Sequence, residues 1–360
     1  MVGPIILATV LFLVALNLLP LLPWWEYVAS YLGLLGISFA ALWTLRSLTR
    51  ASQPAQESGV ASRRESAPAP ETARRESARH SWLRGRMQRH PLLSYFSIAY
   101  AVKCVFLVPY TLAAWGVISG DWDLAFVVAT FGPLMGGVVM SYVDEGKPGL
   151  YRLRDGIRKW RVGRWWLLFI FAGIPVALMA GVLAIPGSLV GFVGLPAVVA
   201  LQYPLYYFGV WFGGGGLNEE LGWRGFALPR MQPRYGPLWG TLLLGAAHCF
   251  WHIEEFLTPA QGGGPGTGWT PFVVNLPIFF VLVVSFSIIA TWVFNRTRGS
   301  LFAVISTHAS VDTPQPVLIP FFPAVGVTSM LLGSAVGLGA LAVVIVVLTR
   351  GRLGYERGGT

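Results

Sequence analysis

An all-α, polytopic transmembrane helical bundle of about 8–10 spans is the fold this sequence predicts, and three observations predict it. The chain is 54% hydrophobic and 12% charged over 360 residues, against about 25% charged in soluble domains. Its apolar runs repeatedly approach the ~20 residues that cross a bilayer as a helix, whereas a membrane β-barrel would show ~10-residue alternating segments. Short loops rich in arginine separate the runs. The net charge of +10 therefore follows the positive-inside rule and calls for no nucleic-acid partner. Cys104 and Cys249 both lie in apolar runs, which argues against a disulfide framework.

Residues 1–44 read as an N-terminal pair of transmembrane helices, about 4–22 and 25–44, with Trp24 and Trp25 as interfacial anchors. The first lacks a charged leader, so we read it as a retained span and not a cleaved signal. Residues 45–92 carry ten arginines and four glutamates among Ser, Ala, Pro and Gln, and repeat Arg-Arg-Glu-Ser-Ala at 63–67 and 74–78. Such a composition predicts a disordered basic cytoplasmic loop. Residues 93–123 add one further transmembrane helix, about 93–118, and a short turn. From 124 onward spans are expected at about 124–143, 165–185, 187–212, 238–256, 271–294 and 300–318. The C-terminal unit, 321–360, holds a last span at about 325–348 and a tail. Between Tyr151 and Val162 five basic residues mix with Leu153, Ile157 and Trp160, the pattern of an interfacial helix on the cytoplasmic leaflet. Pro175, Pro186 and Pro196 predict kinks or breaks. Basic loops follow the even-numbered spans, which puts both termini in the cytoplasm of a multi-pass cell-membrane protein.

Ionisable groups inside spans cost free energy and mark function by default. Here they gather within about a hundred residues: Glu219, Glu220, Arg224, His248, His252, Glu254, Glu255, His308 and Asp312. On a helix Glu220 and Arg224 stand four apart and can pair, whereas Glu219 projects about 100° away and is left for other work. His248 and His252 share a face, as do His308 and Asp312. Glu254 and Glu255 are expected at the membrane surface. A set of this kind suits hydrolysis: a glutamate takes a proton from a water held by a histidine or a metal, and a second histidine stabilises the oxyanion. No serine or cysteine stands in a nucleophile elbow, and Gly213–Gly216 lacks the lysine of a phosphate loop.

Glu219-Glu220-Leu221-Gly222-Trp223-Arg224-Gly225 resembles the EExxxR signature of the CPBP intramembrane proteases, the family of type II CAAX prenyl proteases and bacteriocin-processing and self-immunity proteins. Phe250-Trp251-His252 resembles its second motif, and His308-Ala309-Ser310-Val311-Asp312 its third, in which Asn or Asp follows the histidine by four. The resemblance covers about residues 124–320, including Gly132-Pro133 and Trp160–Trp166. Two positions depart from it. His248 stands where the second motif has an aromatic, and Glu254 where proline is frequent. The Trp251-His252 pair makes His252 the motif histidine by this resemblance, with His248 as the alternative.

The resemblance implies that Glu219 activates water with help from His252, that Glu220 and Arg224 position the site, and that His308 and Asp312 stabilise the oxyanion. It leaves the cofactor open: a divalent metal such as zinc on Glu219, His252 and His308, with His248 as alternative ligand, or no metal. The partners it implies are membrane lipids and a hydrophobic or membrane-associated peptide substrate. The competing readings of the same residues are a proton-coupled transporter and a non-catalytic membrane scaffold.

Overall fold

The computed structural model describes residues 82–356. The spans expected at 4–22 and 25–44, and most of the expected loop 45–92, lie outside the described residues. Among the described residues every regular element is helical.

A short helix over residues 82–89 leads into α1, Pro91–Ala114. Helices α2, Asp123–Ala129, and α3, Gly132–Glu145, follow in one line. Pro133 offers no amide to the carbonyl four residues back, so the helix breaks at the junction. Next come the basic helix α4, Lys147–Arg158, and α5, Arg164–Leu168. A π-turn at Phe169–Gly173 then joins α5 to α6, Ile174–Leu183. That widened turn directly precedes Pro175, the first of the expected kinks. Residues 184–198 form no long helix, and α7 runs only over Val199–Phe212.

Helix α8, Gly216–Gly222, carries the glutamates and passes through a second π-turn, Trp223–Ala227, into α9, Leu228–Tyr235. The remaining helices are α10, Pro237–Trp251; α11, Leu276–Arg296; α12, Leu301–Asp312; α13, Pro314–Leu318; and α14, Val327–Thr349.

Five helical stretches among the described residues are long and apolar enough to cross a membrane: Pro91–Ala114, Asp123–Glu145, Arg164–Leu183, Pro271–Arg296 and Val327–Thr349. The segments expected to span at 187–212, 238–256 and 300–318 form shorter helices, of 14, 15 and 12 residues. At 1.5 Å per residue these reach about 18–23 Å, short of the ~30 Å hydrocarbon core. Each stops at a residue pattern visible in the sequence: the Gly213–Gly216 run, the His252–Glu255 turn, and Pro314.

Helix α8 lies at the centre, packed against α3, α7 and α12. Every residue from Gly215 to Leu228 is buried. Small residues allow this closeness. A Cβ on Gly137 would stand 2.9 Å from both the Cα of Gly222 and the carbonyl oxygen of Leu221. Backbone-to-backbone contact of this kind is how helices associate where lipid removes the hydrophobic drive.

Candidate active site

The glycine run sets how α8 enters the core. Gly215 takes φ +123°, a conformation side chains disfavour, and lets the chain turn from α7 into α8 within three residues. Asn218 Nδ2 then donates to the Gly213 carbonyl at 2.7 Å and to Thr130 Oγ1 at 3.0 Å, tying the start of α8 to the end of α7 and to the α2–α3 junction. From that start, Glu219 and Glu220 face different partners.

Glu220 lies at the buried end of a network that reaches the cavity at Asp312. Arg224 Nη1 donates to both of its carboxylate oxygens, at 2.8 and 3.0 Å, and neither side chain has any exposure. Arg224 also reaches Ser287 Oγ on α11 at 3.1 Å, and its guanidinium lies 4.9 Å from the ring centre of Phe286. From α12, His308 Nδ1 comes within 2.7 Å of Glu220 Oε1, and its Nε2 within 3.2 Å of Asp312 Oδ2. A ring with a carboxylate at each nitrogen is fixed in orientation from both sides.

Glu219 looks toward α10. Its Oε2 accepts from Trp223 Nε1 at 3.2 Å and lies 2.7 Å from His248 Nε2. His252 Nε2 stands 3.9 Å from the same oxygen, beyond a direct hydrogen bond. The ring centres of His248 and His252 are 5.3 Å apart, and those of His248 and His308 6.2 Å. All the candidate residues are thus neighbours. A cavity of about 680 Å³ opens on Glu219, His248, His252, His308 and Asp312, with Phe279, Leu282 and Val283 among its apolar lining.

The donor set for a cation differs from the expected one. Glu219, His248 and His252 each offer a ligand atom within 4.8 Å of the others. His308 already faces carboxylates with both nitrogens. Two histidines and a carboxylate are a donor set that catalytic zinc accepts, so these three residues fit a divalent ion by composition.

Two residues nearby have roles that the sequence reading did not assign. Glu255, expected at the membrane surface, is buried: it ion-pairs with Lys103 of α1 and lies 2.9 Å from His252 Nδ1. Its neighbour Glu254 accepts from Cys104 Sγ at 2.8 Å. Helix α1 carries one charged residue in 24, and an isolated lysine in an apolar helix is the signal that would have found Lys103.

Comparison with known proteins places this region. Residues 200–313 match the family described as "Type II CAAX prenyl endopeptidase Rce1-like". Over 105 residues the chain is 28% identical to the "CAAX prenyl protease 2" of Methanococcus maripaludis. The alignment takes in 28% of this chain and 36% of that protein, so the chain spans about a third of the length of the curated relative it matches. The family match contains Glu219, Glu220, Arg224, His252, His308 and Asp312 together, and over this segment the chain is similar to the type II CAAX prenyl endopeptidases.

Proposed function

We propose that this protein is an intramembrane endopeptidase that hydrolyses peptide bonds of membrane-associated substrates, with Glu219 as the group that activates water. One observation carries the reading. Of two adjacent buried glutamates, Glu220 is committed to Arg224 and His308, whereas Glu219 lines the cavity beside His248 and His252. A water between Glu219 and His252 gives its proton to the carboxylate, and its oxygen adds to the substrate carbonyl. His308, held by Glu220 at Nδ1, donates from Nε2 toward the oxyanion, which takes the place of the more exposed Asp312 as acceptor. Collapse of the tetrahedral intermediate breaks the C–N bond, and Glu219 passes the proton to the leaving amine.

A divalent ion on Glu219, His248 and His252 would supply a more acidic water and a polarised carbonyl. The apolar wall at Phe279, Leu282 and Val283 suits a substrate with a lipid-like or apolar anchor. The name of the Methanococcus maripaludis protein makes a CAAX peptide with a prenylated cysteine the first to try. We further infer, from the arginine-rich loops, that both termini and residues 45–92 face the cytoplasm of a cell membrane.

The test uses the purified full chain in proteoliposomes with internally quenched peptides, prenylated and unprenylated. Glu219→Gln keeps size and removes the basic oxygen, so cleavage should fall ~10²–10⁴-fold at an unchanged unfolding temperature. Cleavage at the wild-type rate by this variant would remove the mechanism. A wild-type chain that cleaves none of the peptides would favour the transporter or scaffold.

A further inference from the structure

We propose that Glu255 and Lys103 are positioning residues for His252, a role that rests on the reading of the cavity as a water-activating site. Glu255 Oε1 contacts two groups at once, the ammonium of Lys103 and His252 Nδ1, the latter at 2.9 Å. Toward a carboxylate an imidazole nitrogen can only donate, so Nδ1 carries the hydrogen. In the neutral ring Nε2 is then left as an acceptor, and Nε2 is the atom that faces Glu219 across 3.9 Å. A water can bridge that gap, donating one hydrogen to Nε2 and the other to the carboxylate. Glu255 thereby determines which histidine nitrogen meets the water.

Lys103 makes this arrangement possible inside the protein. Glu255 is 5% exposed and Lys103 1%, and a lone buried carboxylate would carry a large desolvation cost. The lysine Nζ neutralises it and also sits 3.9 Å from the ring centre of Trp251. Trp251 in turn donates from Nε1 to the Ala99 carbonyl of α1 at 3.2 Å and packs edge-on against His252, with ring centres 4.8 Å apart. On its other side His252 meets Phe279, centre to centre at 5.4 Å. The ring is clamped by two aromatics and oriented by one carboxylate, whose counter-charge comes from a helix about 150 residues earlier in the chain. Buried ion pairs contribute little to stability and are often matched by apolar pairs, so fold stability alone gives weak reason for this one.

Two double variants separate positioning from ion-pair stability. Lys103→Met with Glu255→Gln, and Lys103→Met with Glu255→Leu, remove the same charges. They differ in whether residue 255 offers His252 an oxygen. The glutamine pair should lower kcat only a few-fold. The leucine pair should lower it ~10–100-fold, with KM little changed in both. Equal kcat in the two overturns the proposal, as does a loss confined to KM.

Nitrogen-15 histidine spectra give a readout independent of cleavage, with the His252 signals assigned by comparison with His252→Ala. The Nδ1–H form should dominate in the wild type and the glutamine pair and give way to a mixture in the leucine pair. An unchanged ring spectrum in the leucine pair also overturns the proposal. Should Glu219→Gln cleave normally, the water-activating reading fails, and the spectra alone then decide whether Glu255 orients His252. Should the leucine pair not fold, Glu255→Asp draws the carboxylate back one methylene while keeping its charge beside Lys103. Unaltered kcat and ring spectrum in that variant count against positioning, and a lower kcat at constant KM supports it.

Discussion

His248 Nε2 lies 2.7 Å from Oε2 of Glu219, while Nε2 of His252 stands 3.9 Å from the same oxygen. The histidine that departs from the family motif is thus the one in direct contact with the glutamate. Its ring packs 5.0 Å from Trp223 and 6.1 Å from Phe286, centre to centre, an aromatic setting that a phenyl ring also fits. Glu219 would keep the Trp223 donor. His248→Phe should therefore cost no more than about tenfold in cleavage, and His252→Ala ~10²–10⁴-fold. Rates measured side by side on one peptide check the order. The reverse order would make His248 the motif histidine.

Arg224 has no exposure, and neither has its partner Glu220. Removing one member of such a pair leaves the other charge uncompensated, at a cost of about 3–5 kcal/mol. Arg224→Ala should lower the unfolding temperature and the folded yield along with activity. Ser287→Ala, which removes one hydrogen bond to the same guanidinium, should cost about 1 kcal/mol. An Arg224→Ala protein of full thermal stability but no activity would move the arginine from architecture into chemistry.

The helical bundle and the gathering of polar groups were legible because both rest on local rules. Long apolar runs must be helices in lipid, and ionisable groups within them must be compensated. The Glu220–Arg224 pair followed from helical periodicity alone. Span lengths were less legible, since hydropathy continues through residues 184–198, where proline and glycine end regular helix, and the span expected at 300–318 is interrupted at Thr313 before the short helix α13. The link between Lys103 and Glu255 is a tertiary contact across 152 positions, and no sequence spacing encodes it. For the same reason, the Glu219–His248 contact could not be ranked against Glu219–His252: helical spacing put both histidines on one face, and the docking of α10 on α8 set the distances.

The three-residue donor set leads to a prediction about metal removal. Glu219 Oε2 and His248 Nε2 are joined by a hydrogen bond, which a cation bound through those same two atoms would replace. Cleavage should accordingly persist after dialysis against a zinc chelator. Loss of activity restored by added zinc would transfer the water to a metal held by Glu219, His248 and His252.

The last prediction concerns Gly215, whose φ of +123° makes any side chain there strained. A methyl group at this position would also stand 2.9 Å from His308 Nε2 and 3.2 Å from Asp312 Oδ2, pushing between two atoms that are 3.2 Å apart. Gly236, at the junction of α9 and α10, supplies the control: its φ is +81°, and a Cβ there meets nothing within 4 Å. Both alanine variants should lose about 1–3 kcal/mol of stability from backbone strain. Only Gly215→Ala should also displace the His308–Asp312 pair, and if that pair serves the oxyanion, kcat should fall ~10²-fold or more. Unfolding temperatures and cleavage rates of the two variants, measured together, separate strain from chemistry. Equal activity in both would mean that His308 and Asp312 can move without consequence, and the oxyanion role assigned to them would go.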